Sequence, residues 1–174
     1  GINNITHTAG TGSSGGYVNL SSTDSASNYL GQNTNFSITS GGPTVGNAIW
    51  IDWNNNLSFE TGERVYVSTT YGTTVSGNFA IPSGTSVGNY RMRVITDYNN
   101  FAPSNSCGNI TRGEYKDFNF EVLNCATTVT STADAGPGTL RAALACVVDG
   151  GTIMYDQPNT ATTILTAPLT IDKN

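Results

Sequence analysis

Residues 48–67 read AIWIDWNNNLSFETGERVYV, and this segment carries the strongest structural signal in the chain. Two short β-prone segments, Ala48–Ile51 and Arg64–Val67, enclose a polar loop. Oxygen-bearing side chains recur in the loop at every second position and again at position twelve: Asp52, Asn54, Asn56, Ser58, Glu60 and Glu63. EF-hand calcium loops space their ligands in this way, but between helices. We therefore predict a calcium loop that joins two strands of a β-domain.

The loop residues divide into expected direct and indirect calcium ligands. Four side chains are expected to bind the ion directly: Asp52, Asn54, Asn56 and Glu63. Ser58 would contribute its backbone carbonyl, and Glu60 would act through a water molecule. Leu57 stands at position six, where calcium loops have glycine because the backbone turns with positive φ, which strains a branched side chain. The alternative is an asparagine-rich hairpin whose side chains bond their own backbone.

The composition is typical of an extracellular β-protein. Charged residues make up only 11% of the 174 residues, and segments of Thr, Val, Tyr and Ile are separated by turns of Gly, Asn and Ser. The net charge of −5 argues against nucleic acid or an anionic membrane surface as a partner, since both require clustered Lys and Arg. Apolar runs stay well below the ~20 residues that span a bilayer, so we expect no membrane insertion. The start lacks a basic n-region, which indicates the mature segment of a secreted protein.

Three cysteines give an odd count, which suits one disulfide and one free thiol in an oxidising compartment. We prefer the pair Cys125–Cys146, because both cysteines lie in the same C-terminal segment. The pair Cys107–Cys125 is the alternative. A zinc site is not expected, because the chain has one histidine.

Regular punctuation by Gly, Asn and Pro divides the first two thirds of the chain into short strands. We predict strands at Tyr17–Ser21, Thr34–Thr39, Ala48–Asp52, Arg64–Ser68, Ser76–Ile81, Tyr90–Thr96 and Glu114–Val122. Polar and apolar residues alternate most clearly in the last two, as in strands that cover a core with one face. The pattern predicts an all-β sandwich of jelly-roll or Ig-like type.

Charged side chains lie on the polar faces of the last two strands. Arg91 or Arg93 is predicted to pair with an acidic side chain across the strands: Asp117, Glu121 or Glu114. Cross-strand ion pairs are the structural interpretation of these charges. A charged binding surface is the functional alternative.

Four motifs in order resemble the GEVED domain family over roughly residues 1–123. They are IWIDWNNN at 49–56, FETGERVY at 59–66, RMRV at 91–94, and Cys107-Gly108 followed by GEYKDF at 113–118. The last replaces the Gly-Glu-Val-Glu-Asp motif that names the family, and Lys116 stands where the family has an acid. The resemblance implies a β-sandwich module of a large secreted or surface protein of bacteria. Such modules are often attached to proteases, adhesins or proteins exported by type IX secretion.

The character of the chain changes after residue 123. A helix is predicted at Leu140–Val148, N-capped by Thr139 and ended by Asp149-Gly150-Gly151. The sequence VTSTADAGPGTLRAA at 129–143 resembles the opening of right-handed parallel β-helix proteins, in which a short helix covers the end of the solenoid. We therefore predict a sandwich domain at 1–123 and the cap and first strands of a β-helix at 124–174. The expected strands of the second unit are Thr127–Thr132, Thr152–Tyr155, Thr162–Leu165 and Leu169–Ile171.

The sequence favours a non-catalytic extracellular module with an adhesive or structural role. Its expected partners are further domains of a longer polypeptide, or other chains that complete the exposed solenoid edge. The alternative is a carbohydrate-binding accessory module of a polysaccharide-degrading or other secreted enzyme, with aromatic side chains near loops as the stacking surface: Trp50, Tyr71, Tyr98 and Phe101. Trp53 is assigned to the core by strand parity. The chain offers no nucleophile–base pair, phosphate loop or His pair, so we expect no enzyme in it.

Overall fold

The computed structural model describes residues 16–172, and this range is mostly β-structure. The strands are β1 (Gly16–Asn19), β2 (Ser25–Tyr29), β3 (Asn33–Thr39), β4 (Gly46–Ile51), β5 (Arg64–Val67), β6 (Thr74–Ala80), β7 (Gly88–Asp97), β8 (Gly113–Leu123), β9 (Thr128–Val129) and β10 (Met154–Tyr155). A 3₁₀ turn at Thr61–Glu63 precedes β5, and one short helix, α1 (Leu140–Cys146), precedes β10. In this range no helix has the length and apolar character needed to cross a bilayer.

The strands form one mixed sheet and two small sheets. The mixed sheet has six strands in the order β1-β8-β7-β4-β5, and β2 also pairs with β8. β1 and β2 run parallel to β8, whereas β8, β7, β4 and β5 are mutually antiparallel. β3 and β6 form an antiparallel pair over seven residues, and β9 and β10 form a parallel pair over two. Ig-like sandwiches are built from antiparallel sheets, so the parallel pairs depart from that part of the prediction.

The mixed sheet is covered on both faces. On one face, Ile49 and Ile51 of β4 pack with Phe120 of β8 against Phe79 of β6, and the rings of Phe79 and Phe120 lie 5.7 Å apart. On the other face, a second apolar cluster contains Ala48, Trp50, Phe59, Ile95, Ile110 and Tyr115. Phe59 and Ile110 come from loops, which therefore take the place of a third layer. Every residue of β4 is buried because the strand lies between the two clusters.

The alternating strands are found where the sequence predicts them, with ends that move by one or two residues. β2 was not predicted, because its sequence SASNY lacks an apolar alternation. Its polar side chains Ser27 and Asn28 are nevertheless buried, and Asn28 Nδ2 donates to Thr34 Oγ1 at 3.0 Å. The sequence also predicts an edge strand near Ile2 and Ile5, and these residues lie outside the range that the structure describes.

The C-terminal segment contains the predicted cap and disulfide. Thr139 Oγ1 accepts the N–H of Ala142 at 3.2 Å, as an N-cap does. Cys125 and Cys146 form the disulfide, which confirms the preferred pairing, and Cys107 is an exposed free thiol. α1 ends two residues before the predicted Val148, because the backbone at Val147 is already extended.

The described residues do not form a β-helix. Thr162–Leu165 and Leu169–Ile171 are not strands, and Met154–Tyr155 is the one expected rung that pairs, in parallel, with Thr128–Val129. A polar contact replaces the missing rungs: Arg141 donates to the carbonyls of residues 167 and 168 at 2.7 and 3.0 Å. The division of the chain at residues 123 and 124 stays a prediction.

Arg141 also pairs with an acid that ties the same segment together. Its Nη2 lies 2.6 Å from Asp134 Oδ1, and Thr166 Oγ1 donates to the other carboxylate oxygen. These hydrogen bonds, from Thr166 and then from Arg141, lower the pKa of Asp134 below its ordinary value. Asp134 therefore stays ionised, and its ion pair with Arg141 stays intact, well into the acidic pH range.

A buried ion pair joins β7 to β8 beneath the second apolar cluster. Arg93 and Asp117 are cross-strand partners, with Nε to Oδ1 at 2.6 Å and Nη2 to Oδ2 at 2.7 Å. Asp117 is fully buried and Arg93 is 9% exposed. Burial opposes the charge of Arg93, but the hydrogen bond and the negative charge of Asp117 outweigh it, so the pKa of Arg93 is raised. One of the cross-strand pairs suggested by the sequence is therefore formed.

The same guanidinium is held from several sides. Arg93 Nη1 donates to the carbonyl of Ser106 at 2.9 Å and to Cys107 Sγ at 3.2 Å. The rings of Phe59 and Tyr17 lie 4.7 and 5.3 Å from its central carbon, within the range of cation–π attraction. Tyr17 Oη also donates to Asp117 Oδ2 at 3.0 Å. One ion pair thus connects β7 and β8 to β1 and to two loops.

Replacement of Asp117 by asparagine is expected to lower the free energy of unfolding by about 3–5 kcal/mol, because a buried guanidinium loses its counter-charge. Urea denaturation followed by tryptophan fluorescence measures the loss. The control is Glu114→Gln, which removes an acid of the same strand that pairs with Lys116 at 2.8 Å at the less buried end of β8. Its expected loss is about 1 kcal/mol or less. Equal losses in the two variants would contradict the central role of Asp117.

Candidate functional site

The loop of residues 52–63 begins at the buried end of β4. Asp52 follows β4 directly, and its N–H continues the sheet by donating to the carbonyl of Arg91 at 2.9 Å. Its side chain is fully buried. Oδ1 accepts the N–H of Asn56 at 3.1 Å, and Oδ2 accepts the N–H of Leu57 at 2.9 Å. One carboxylate therefore holds the first turn of the loop.

The two asparagines continue the turn. Asn54 Oδ1 accepts the N–H of Asn56 at 3.0 Å, and Asn56 Oδ1 accepts the N–H of Ser58 at 2.8 Å. Each is an Asx turn, in which a side chain replaces a backbone acceptor. The side-chain amides of Asn54 and Asn56 both donate to the carboxylate of Glu60, at 3.3 and 3.0 Å. Glu60 thus links the two turns from the opposite side of the loop.

Glu63 closes the loop. Its carboxylate accepts the N–H of Asn54 at 3.4 Å through Oε1 and the N–H of Glu60 at 3.0 Å through Oε2. Glu63 is 6% exposed, although it lies in a loop. Five of the six predicted ligands therefore meet in one hydrogen-bonded network: Asp52, Asn54, Asn56, Glu60 and Glu63. Ser58 joins the network through its backbone N–H, which donates to Asn56 Oδ1, whereas the sequence prediction uses its backbone carbonyl.

Negative charge exceeds positive charge in the loop. Three carboxylates belong to the network, and Arg91 is the nearest cation to Asp52, with Nη2 4.0 Å from Oδ2. The shorter contact of Arg91 is with the loop backbone: its Nη2 donates to the carbonyl of Leu57 at 2.6 Å. Arg91 therefore fastens the loop to β7, and Arg93 is the one of the two candidate arginines that pairs with Asp117 of β8.

Position six of the loop has the backbone conformation that the calcium-loop comparison requires. Leu57 has φ of +67° and Asn55 has φ of +54°. Asparagine tolerates this left-handed region, whereas a residue with a bulky Cβ substituent is strained there by about 1–2 kcal/mol. The side chain of Leu57 is 77% exposed, so packing does not compensate for the strain.

The donor set of the loop consists of oxygens, the atoms that calcium prefers. Among residues 16–172, no group of three or more His, Cys, Asp or Glu side chains is arranged to hold a metal. Coordination in this loop would therefore depend on asparagine and backbone oxygens as well as on carboxylates. The same oxygens also accept N–H groups of the loop itself, as the asparagine-hairpin alternative predicts.

The predicted aromatic surface is only partly exposed. Trp50 is 2% exposed, so its proposed role in stacking on a ligand is wrong. Strand parity placed Trp50 opposite the core, but loops cover that face and bury it in the second cluster. Trp53 packs against Tyr90 and Phe120 with ring distances of 5.4 and 5.8 Å, as expected of a core residue.

The other three aromatic side chains are exposed near one end of the mixed sheet. Tyr71 is 41%, Tyr98 40% and Phe101 47% exposed. The rings of Tyr71 and Phe101 lie 6.0 Å apart, edge to face. The guanidinium of Arg112 lies 4.9 Å from the ring of Tyr98, a contact that the sequence did not reveal.

The loop that carries Phe101 is pressed onto the sheet. The carbonyl of Phe101 accepts a hydrogen bond of 2.5 Å from Ser68 Oγ. A Cβ atom at Gly46 would collide with the backbone of Asn100 and Phe101, so only glycine permits this approach. The exposed rings therefore stand on a backbone that is fixed to β4 and to the residue after β5.

The loop of residues 52–63 and the exposed aromatic side chains lie in a part of the chain that matches a known family. Residues 46–121 match the GEVED domain. The matched range runs from β4 to β8 and includes the loop of residues 52–63 and the Arg93–Asp117 pair. It is narrower than the predicted range of 1–123 and covers less than half of the chain. GEVED domains are typically extracellular modules of bacterial surface proteins, and the disulfide is consistent with an extracellular protein. The comparisons with curated proteins and with solved structures gave no significant match.

Replacement of Leu57 by glycine is expected to raise the free energy of unfolding by about 0.5–1 kcal/mol. Glycine relieves the left-handed strain, and its greater freedom in the unfolded chain offsets part of the gain. Leu57→Ala is the control, since it removes the exposed side chain but keeps the Cβ atom. Urea denaturation compares the three proteins. A glycine variant that is no more stable than the alanine variant would contradict backbone strain at this position.

Proposed function

We propose that this chain is a non-catalytic extracellular module of a bacterial surface protein, with a structural or adhesive role, and that calcium braces its loop of residues 52–63. The GEVED match and the disulfide support the extracellular setting. Disulfides persist in oxidising compartments, which agrees with secretion.

One observation carries the calcium proposal: two carboxylates of one loop are buried, and the one ion pair that either of them makes among the described residues is long, at 4.0 Å between Asp52 and Arg91. Asp52 and Glu63 are 0% and 6% exposed, and Glu60 adds a third charge to their network. Buried charges are costly unless a counter-charge or a metal balances them. Here the nearest guanidinium, that of Arg91, is 4.0 Å from Asp52. A divalent cation bound by oxygens supplies the missing charge.

The position of the loop explains what such an ion would do. The loop joins β4 to β5, and its Phe59 covers the second apolar cluster. Phe59 also lies 4.6 and 4.7 Å from the guanidinium carbons of Arg91 and Arg93. A fixed loop therefore keeps the ring over the buried ion pair. Since both flanking strands are paired in one sheet, calcium would stabilise the domain and would not switch it between two shapes.

Calcium is expected to bind with the affinity of extracellular modules, a Kd of about 0.1–1 mM. At about 10 mM calcium, mass action then stabilises the folded chain by about 1.4–2.7 kcal/mol and raises Tm by about 3–10 °C. Isothermal titration calorimetry on EDTA-treated protein and thermal unfolding with calcium or EDTA measure the two effects. Magnesium serves as the cation control, because it requires a smaller octahedral site.

The variant Glu63→Gln tests which residues hold the ion. It removes one charge and keeps one of the two acceptor oxygens that receive loop N–H groups. The Tm of the variant in EDTA is its own reference, and the calcium-dependent rise above that reference should fall by at least half. The matched control is Glu121→Gln in β8, which removes the same charge away from the loop and should keep the full rise. A wild-type protein that binds no calcium and melts equally in EDTA would refute the calcium part of the proposal and support the asparagine hairpin.

Residues 124–172 are proposed to contact further domains or chains of a longer surface protein. Met154 and Tyr155 of β10 are 64% and 63% exposed, although they form a strand. β10 pairs in parallel with β9, as consecutive coils of a parallel solenoid do. This pairing supports the proposal that the C-terminal segment begins a repeated parallel structure.

Carbohydrate binding is the second candidate function, and the exposed ring pair favours it. Tyr71 and Phe101 present two aromatic faces on a rigid backbone, and Tyr98 lies in the same loop as Phe101. Aromatic rings stack on the apolar faces of sugars, and rigid rings bind at little entropic cost. In this reading the chain is an accessory module that attaches a secreted enzyme or adhesin to a polysaccharide.

A glycan array probed with the calcium-loaded chain tests this second function. Phe101→Ala should weaken binding to any glycan that scores by about fivefold, the equivalent of about 1 kcal/mol for one lost ring contact. Tyr155→Ala is the matched control, since Tyr155 is an exposed aromatic residue outside the GEVED match. An array without hits, or equal losses in both variants, would remove carbohydrate binding by this surface.

A further inference from the structure

The outer edge of β3 carries no strand in the part of the chain that the structure describes. Within residues 16–172, β3 pairs with β6 over seven residues and with no other strand. Neither strand contains a charged residue or a proline, and their register has no bulge. Charges, prolines and bulges are the devices by which natural edge strands avoid pairing with other chains. β3 lacks all of them.

The edges of the mixed sheet are better protected. β5 has four residues, and its register with β4 shifts between Ile49 and Trp50. At the opposite edge, the length of β8 is shared by two short strands, β1 and β2. A long, continuous partner strand therefore fits neither edge, which leaves the β3–β6 pair. Within this pair β6 lies close to β5 of the mixed sheet, so β3 has the more open edge.

The direction of the backbone groups on β3 follows from one hydrogen bond. Asn28 Nδ2 donates to the carbonyl of Asn33 at 3.0 Å, so this carbonyl faces away from β6. Residues of an antiparallel pair alternate between inward-facing and outward-facing backbone groups. Asn35, Ser37 and Thr39 therefore present their N–H and C=O groups to the open edge.

Two hydroxyl contacts agree with this assignment. Ser76 Oγ donates to Ser37 Oγ, and the hydroxyls of Thr39 and Thr74 are in contact, each at 3.1 Å. Cross-strand side chains are closest where the backbone groups of a pair face outward. Both the backbone and the side chains thus place odd-numbered β3 residues at the free edge.

The inner face of β3 is incompletely covered. Thr34 is 7% exposed, beneath Asn28. Phe36 and Ile38 point toward the same core but are only partly buried. An additional strand next to β3 would extend the sheet over these two apolar side chains.

We propose that β3 pairs antiparallel with β3 of a second copy of this chain, about a two-fold axis at Ser37. The two copies then share a continuous sheet in the order β6-β3-β3-β6. In this register Asn35 lies opposite the partner's Thr39, and Phe36 lies opposite the partner's Ile38. Polar residues meet polar residues on the outer face, and apolar residues meet on the inner face. The strand is therefore complementary to itself.

The absence of charge from β3 and β6 permits a second copy to approach at this edge. Each chain carries a net charge of −5, so two copies repel each other on average. Neither β3 nor β6 contains a charged side chain that would add a like-charge contact across the interface. Main-chain hydrogen bonds supply the attraction, as they do when other proteins add a strand to a sheet edge.

Sedimentation velocity of the full chain over a concentration series tests the proposal. A monomer–dimer equilibrium is expected. Ser37→Lys places two lysines opposite each other on the axis and should weaken dimerisation by at least about fivefold. Ser76→Lys is the matched control: it removes the same hydroxyl contact and adds the same charge, but on β6. Its two lysines lie about 14 Å apart in the dimer, beyond the Debye length of about 8 Å, so its dimerisation should match the wild type.

Amide hydrogen exchange provides a test that needs no variant. The amides of Ser37 and Thr39 should exchange more slowly as the protein concentration rises. A chain that stays monomeric at every concentration overturns the proposal. So do equal effects of the two lysine variants, which place the interface elsewhere. Slow exchange of these amides in the monomer that disappears on deletion of residues 1–15 would assign the edge to that segment and likewise overturn it.

Discussion

The bidentate pair between Arg93 and Asp117 is the interaction on which the GEVED-matched part of the molecule depends. The two hydrogen bonds between the side chains are 2.6 and 2.7 Å long. Burying both charges inside the protein is costly unless further groups bind the remaining donors and acceptors. The surroundings come from distant parts of the chain: the ring of Phe59, the phenol of Tyr17 and the carbonyl of Ser106. The charged pair thus specifies where two long loops and the first described strand must lie. The ion pair therefore contributes more to defining a single arrangement of these segments than to net stability.

The loops in turn act as a layer of the fold. A sheet with two apolar faces needs cover on both, and here β3 and β6 cover one face while loop side chains cover the other. This arrangement explains two glycines. A Cβ atom at Gly46 or Gly113 would collide with neighbouring backbone, so both positions let a loop or strand approach closely. Candidate ligand sites and structural cover are therefore the same segments. The loop with the calcium-like spacing supplies Phe59, and the loop with the exposed rings supplies Ile110.

The sequence predicted local features well. Strands with clear alternation and the N-cap at Thr139 were predicted, because each depends on a few adjacent residues. Leu57 was noted as a departure from the glycine of calcium loops, and the structure shows that it nevertheless adopts positive φ. Features that depend on packing between residues far apart in the sequence were not predicted. Trp50 was misplaced, because parity shows which residues share a face but not whether loops cover it. β2 was missed, because its buried side chains are polar and are satisfied by hydrogen bonds. The β-helix strands failed because carbonyl contacts with Arg141 hold that segment, and no short pattern reveals them.

The disulfide between Cys125 and Cys146 has a mechanical consequence when the chain is under tension. Tension along the chain passes through the covalent bond and bypasses the residues between the two cysteines, which include β9 and α1. With a sequence separation of 21 residues, about 70 Å of chain cannot be extended until the bond is reduced. The helix and its cap therefore lie in a covalent loop whose two ends stay together under load. Tension reaches them only through the contacts of β9 with β10 and of Arg141 with residues 167 and 168. A chain built in this way lengthens less under force.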